Sequence, residues 1–220
     1  MKENTTSTES NILAAAEKLF LERGFKSTST TDIAMEAGCN QALVHYYFRT
    51  KENLFNKIFY AKFETVMKFI DSSMRDDSDI FQNIRNIIEA YFNFLSANPN
   101  MPYFIFNELI RDPSRRETVR NNLISCQSNL QVLTRFKSMV DNAVKDGQIR
   151  DIDPFDLIFD AISLVVFSFI SAPIFIDLLG RDSSCMEEFI SHRKEEICIL
   201  LTRGLLPDTN TARQHDATGL

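Results

Sequence analysis

Apolar residues recur three or four positions apart along most of the chain, the spacing of a helix, and no sustained apolar–polar alternation predicts a strand. Ile12, Leu13, Ala16, Leu19 and Phe20 define the inner face of a first helix over residues 11–23, which Gly24 stops. The run Ser27-Thr28-Ser29-Thr30-Thr31-Asp32 is made of capping residues. Within it, Ser29 and Asp32 have the spacing of a capping box that opens a short helix over 33–37, ended by Gly38. Asn40 is placed to cap a third helix over 41–48, and Thr50 a fourth over 51–74. Short helices with a glycine turn between the second and third make a helix-turn-helix arrangement.

Beyond the polar break at 75–79, the spacing predicts a helix over 80–97 that ends before Pro99 and Pro102, then a short apolar segment over 103–111. Asp112-Pro113 and Asp153-Pro154 each set a capping carboxylate before a proline at the first helical position, where its missing N–H is harmless. Val119, Leu123, Cys126, Leu130, Leu133, Phe136, Val140 and Val144 mark one long helix, straight or bent, up to Gly147. Two more helices are expected over 155–171 and 185–203, the last ending at Gly204. The expected fold is all-α: a helix-turn-helix domain over 1–51, with 1–9 flexible, joined by the fourth helix to a larger helical domain over 52–206. The polar residues 207–220 have little to bury and are expected to be a disordered tail.

Charge narrows the function. With 24 Lys+Arg against 30 Asp+Glu in 220 residues the net charge is −6, which excludes a polybasic nucleic-acid coat but not a small DNA-binding surface. Between residues 26 and 51 the cations Lys26, Arg49 and Lys51 outnumber Asp32 and Glu36 by one, so neutral polar groups and helix N-termini must supply much of any phosphate contact. The cysteines, Cys39, Cys126, Cys185 and Cys198, are scattered, which suits reduced thiols of a cytoplasmic protein, and neither they nor His192 and His215 form a metal-ligand spacing. The polar start predicts no secretory signal. The uncharged run over 161–176 is shorter than the about 20 residues a bilayer needs, so a buried helix and no membrane partner are expected. No GxGxxG, P-loop, HExxH or GxSxG pattern supports an enzyme, and no cofactor or metal is expected.

The residues from 24 to 55 carry the chemistry of a DNA reader. Ser29, Thr30 and Thr31 bring hydroxyls to a helix start that favours a phosphate, and Lys51 sits at another. Asn40, Gln41, Ala42, His45, Tyr46 and Tyr47 lie on or beside the third helix, where Gln41 can read an adenine edge and the others can touch bases or phosphates. Val44 and Phe48 face inward. Phe25 after the glycine, Ser29-Thr30-Thr31, Ile33-Ala34, Ala37-Gly38, the aromatic run from Val44 to Phe48 and Lys51-Glu52-Asn53-Leu54 together resemble the DNA-binding domain of the TetR family of bacterial transcriptional regulators. The sequence departs from that family's usual pattern at His45, often Tyr, and at Cys39, often Val. The resemblance implies a homodimer on a palindromic operator of double-stranded DNA, a helical effector domain, and dimerisation through the last two long helices.

In the second domain Phe63, Met67, Phe92, Tyr103, Phe104, Phe106, Phe136, Phe159 and Phe167 are candidates to line an apolar effector cavity. Leu157, Ile158, Ala161, Ile162, Leu164, Val165 and Phe169, with Phe189, Ile197 and Leu201 of the last helix, are candidates for the dimer interface, because their apolarity exceeds what one domain core requires. The leading expectation is a repressor released by a small, largely apolar effector. The alternative keeps the DNA-binding domain and makes the second domain a protein-interaction module with no small-molecule effector.

Overall fold

The computed structural model describes the backbone of residues 2–111 and 113–207, and these residues form helices and turns with no strand among them. The helices are α1 (Lys2–Arg23), α2 (Thr30–Glu36), α3 (Gln41–Phe48), α4 (Lys51–Ser73), α5 (Ile80–Ala97), α6 (Met101–Arg111), α7 (Pro113–Ser125), α8 (Gln127–Lys145), α9 (Pro154–Leu178) and α10 (Met186–Gly204), with a 3₁₀ turn, Ser183–Cys185, before the last. The all-α class expected from the spacing is what the chain adopts.

The chain divides into two compact units, Met1–Met67 with Asn98–Ser125 and Lys68–Ala97 with Cys126–Leu220. The boundary falls inside α4 instead of at residue 51, and α6 and α7 join the helix-turn-helix half. Packing, not chain order, decides this: Tyr60 of α4 donates to the Thr118 carbonyl of α7 at 3.3 Å, and α1 packs on α6. The first unit closes over Ile12, Leu19, Phe20, Ile33, Val44, Leu54 and Phe55, all at most 2% exposed. In the second, α10 packs on α9 and α5, burying Ile88, Phe92, Leu95, Val140, Val165, Ile176 and Ile197. Phe92 and Phe169 meet there with ring centroids 5.6 Å apart.

Four expectations about helix bounds need correction. First, α1 begins at Lys2, so the helix continues through the polar residues expected to be flexible; no glycine or proline interrupts them, and Glu9 pairs with Lys57 at 2.6 Å. Second, the single helix expected over 119–144 is two, because Cys126 adopts extended angles (φ −85°, ψ 104°) and hands α7 to one unit and α8 to the other. Third, α9 runs through Pro173, which sits on the exposed face while Phe169, Ala172 and Ile176 stay buried. Burial on the inner face offsets the hydrogen bond that the proline removes. Fourth, Gly204 is the last helical residue and not the stop, with Leu205 as cap. The Asp153 cap is as expected, accepting from the Phe155 N–H at 2.7 Å, whereas Asp112 and residues 208–220 lie outside the described residues.

The α9 helix is not the buried helix expected from its uncharged run. Phe155, Phe159, Ile162, Phe167, Ile174 and Leu178 are all exposed, Phe159 to 71% and Leu178 to 76%. By length and composition alone α9 is apolar enough to cross a membrane, with a mean hydropathy of 2.1 in its most apolar window.

Candidate nucleic-acid interface

Local chemistry positions α2 and α3 within the first unit. Thr28 is buried and its hydroxyl donates to the carbonyls of Gly24 (2.9 Å) and Leu19 (3.2 Å), closing the loop after α1. Ser29 then caps α2 in a complete box: the Asp32 N–H donates to the Ser29 hydroxyl oxygen at 3.0 Å, and the Ser29 N–H donates to the Asp32 carboxylate at 2.9 Å. The Ser29 hydroxyl also donates to that carboxylate, and these bonds, the hydroxyl foremost, hold the Asp32 carboxyl below its usual pKa. At the turn, Gly38 takes φ +65°, a region where a Cβ is costly even though open space surrounds the position. Asn40 caps α3 by accepting from the Leu43 N–H at 3.0 Å.

With Val44 and Phe48 turned into the core, α3 presents one exposed stripe: Gln41, Ala42, His45, Tyr46 and, just past its end, Arg49. Gln41 Nε2 donates to the Thr30 hydroxyl at 2.8 Å, tying the start of α3 to that of α2. Tyr46 is 75% exposed and meets the half-buried Tyr47 edge-on at 5.2 Å between centroids. Ser29 and Thr31 are exposed and Thr30 half-buried at the start of α2. The arrangement suits a duplex: a short rigid helix with polar and aromatic side chains fits a major groove, and a capped helix start beside it suits a phosphate.

The structure assigns Lys51 work that sequence reasoning did not foresee. Its ammonium donates to the carbonyls of Phe25 and Thr28, each at 2.9 Å, and lies 4.2 Å from the centroid of the Phe25 ring. Lys51 therefore pins the α1–α2 loop. Arg115, 4% exposed on α7, completes a stack: its guanidinium lies 4.2 Å from Phe25 and 4.1 Å from Phe55, with Glu52 3.4 Å away. No local spacing signals a contact between residues so far apart in sequence. Arg49 was counted as a cation but not as a site residue, and its φ of +63° is the one positive value outside glycine among the described residues.

The aromatic cavity candidates are divided between the two units. In the second, Phe92 and Phe136 are core and Phe159 and Phe167 are surface, while Phe63, Met67 and Tyr103 belong to the first; the side chains of Phe104 and Phe106 lie outside the described residues. A cavity of about 470 Å³ opens in the second unit among Met74, Asp76, Asp79, Asn83, Arg135 and Asp146. Within it Arg135 pairs with Asp76 at 2.7 Å, and it also pairs with Asp71, outside the lining, at 3.2 Å. Of the interface candidates, Leu157, Val165, Phe169, Ile197 and Leu201 are buried in the protomer's own core, Ile158, Ala161, Leu164 and Phe189 are half-buried, and Ile162 is exposed. On α5, burial pushes the Tyr91 phenol up to about 12 and keeps it neutral.

Residues 12–58 match the family described as bacterial regulatory proteins, tetR family, and residues 81–200 match the tetracyclin repressor-like C-terminal domain. The HTH-type transcriptional regulator YhgD of Bacillus subtilis is 24% identical over 144 residues, 65% of this chain and 72% of its own. The fatty acid metabolism regulator protein of the same organism is 21% identical over 188 residues, covering 82% and 92%. Among solved structures, the fatty acid degradation regulator FadR from Bacillus halodurans superposes with a TM-score of 0.67 at 18% identity, covering 91% of this chain and 97% of that one.

Proposed function

The chain belongs to the TetR family of DNA-binding transcriptional regulators, and from that premise we propose that it is a cytoplasmic repressor that grips a palindromic operator as a homodimer and is released by an apolar effector. The observation that carries the reading is the exposed stripe on α3, Gln41, Ala42, His45 and Tyr46, held at fixed pitch by the caps of Ser29 and Asn40. In this docking the stripe enters the major groove, while Ser29, Thr30 and Thr31 meet a phosphate at the α2 start. The dimer is proposed on the exposed face of α9, where Phe155, Phe159, Ile162 and Ile174 need cover.

The effector class rests on the names of two relatives, both regulators of fatty acid metabolism or degradation. A fatty acid would bind by separating apolar helices of the second unit, since the described cavity is charged. That charge, and the scatter of the aromatics, favour the second reading, in which this unit binds a protein and no small molecule.

Selection of bound duplexes from fragments of the source genome tests the core of the proposal. It should return one inverted repeat with half-sites about one helical turn apart or slightly more. Melting the protein with fatty acids of graded chain length then separates the readings: a specific effector raises the Tm with concentration by mass action, and a flat response to the whole series supports the interaction module.

A further inference from the structure

The junction between α3 and α4 holds a backbone strain that only its surroundings can maintain. Arg49 sits at φ +63°, ψ −49°, and the Thr50 N–H donates to the Phe48 carbonyl across it at 2.7 Å, which makes a γ-turn of the disfavoured hand. The turn aims the Arg49 carbonyl back along α3, where it lies 3.1 Å from His45 Nδ1. A carbonyl can only accept. The hydrogen bond therefore requires the proton on Nδ1, and a neutral His45 carries a bare lone pair on Nε2. His45 is exposed, in the middle of the α3 stripe, between Gln41 and Arg49 and beside Tyr46.

From this geometry we infer that His45 is an acceptor-only reader of base edges, its tautomer set by the strained turn. The inference rests on the docking of α3 in the major groove proposed above and specifies what that docking reads. A lone pair repels a phosphate oxygen, so the backbone is not its partner. In the major groove it pairs with the amino group of cytosine or adenine and meets only acceptors on guanine and on thymine O4. His45 thus selects against guanine at one position in each half-site of the contacted strand. The unusual turn acquires a purpose: a helical end with ordinary angles would leave the ring free to adopt either tautomer.

Two measurements on the full-length protein test this. Ring-nitrogen NMR of uniformly labelled protein in mildly alkaline buffer, with His45 assigned from the signals that vanish in His45→Gln, should show Nδ1 protonated and Nε2 bare. Protonation at Nε2 overturns the inference and leaves the docking standing. Selection from a randomised duplex library should then enrich adenine or cytosine over guanine by roughly tenfold at one position per half-site. His45→Asn keeps a donor for the Arg49 carbonyl and should keep the wild-type Tm while losing that preference. His45→Lys, a donor only, should swap it towards guanine. A selected site whose composition neither substitution changes overturns the assignment of His45 as a reader. Failure to enrich any sequence overturns both the assignment and the docking beneath it.

Discussion

The two units expose opposite kinds of surface. On α3, a helix of eight residues held by caps at its start and a strained turn at its end, the exposed residues are an amide, a small methyl, an imidazole and a phenol, with the Arg49 guanidinium just past its end. On α9, a helix of 25 residues, they include the large apolar side chains Phe155, Phe159, Ile162, Phe167 and Ile174. A short helix has too few intrahelical bonds to persist alone, so α3 depends on its caps and on the core beneath it. A long apolar helix persists readily but leaves surface that water disfavours. The first surface suits a polar partner read by hydrogen bonds, and the second an apolar partner read by shape.

The largest effect that would break this contrast is on α9. Phe159→Glu places a charge on the exposed face and should leave the fold intact, since Phe159 is 71% exposed. Light scattering should give the 25.3-kDa chain alone, and operator affinity should fall by about 100-fold or more as the second half-site is lost. A Phe159→Glu protein that remains dimeric removes α9 from the interface.

Lys51 sharpens the comparison next. Lys51→Met deletes the donor to two carbonyls and the cation over Phe25, and should cost about 1–3 kcal/mol of stability, read as a lower Tm or a lower urea midpoint at unchanged m. If the residue instead serves only as a phosphate contact, the Tm stays put and the salt dependence of DNA binding becomes shallower.

The smallest effect is a pH dependence in the first unit. Bonds from Ser29 hold the folded Asp32 carboxyl below the usual carboxylate range, so the stability it contributes is fully present above the pKa of the unfolded carboxyl. It is lost as pH falls through the lower, folded pKa. Ser29→Ala removes the hydroxyl and should cut the acid-induced part of the loss, seen as a flatter Tm-versus-pH curve below about pH 4. An identical acid limb in both proteins removes the capping box from the stability of α2.

How much of this was legible depends on the range of the physics. Ser29 with Asp32, Asn40 before Gln41 and Thr50 before Lys51 act over three residues, and each cap is where its spacing puts it, with Thr50 Oγ1 accepting from the Asn53 N–H at 3.0 Å. The helix over 80–97 likewise follows from periodicity and flanking prolines. Cys126 was misread because the apolar repeat continues across it on both sides, and nothing local says that α7 and α8 serve different cores. Phe159 and Phe169 are the same residue type on the same helix, yet one is 71% exposed and the other 8%.

The sequence by itself determined the helical class, the caps of the helix-turn-helix and the residue types on its outer stripe, because helix propensity, capping and the 3.6-residue period are properties of neighbours in the chain. Only the tertiary structure decided that Lys51 turns inward, that Arg115 stacks on Phe25 and Phe55, that α9 keeps its helix through Pro173 and that His45 is bonded to Arg49. Most of these contacts join residues far apart in sequence. The last depends on one dihedral angle at Arg49 that residue identity does not favour and that the flanking helices hold in place.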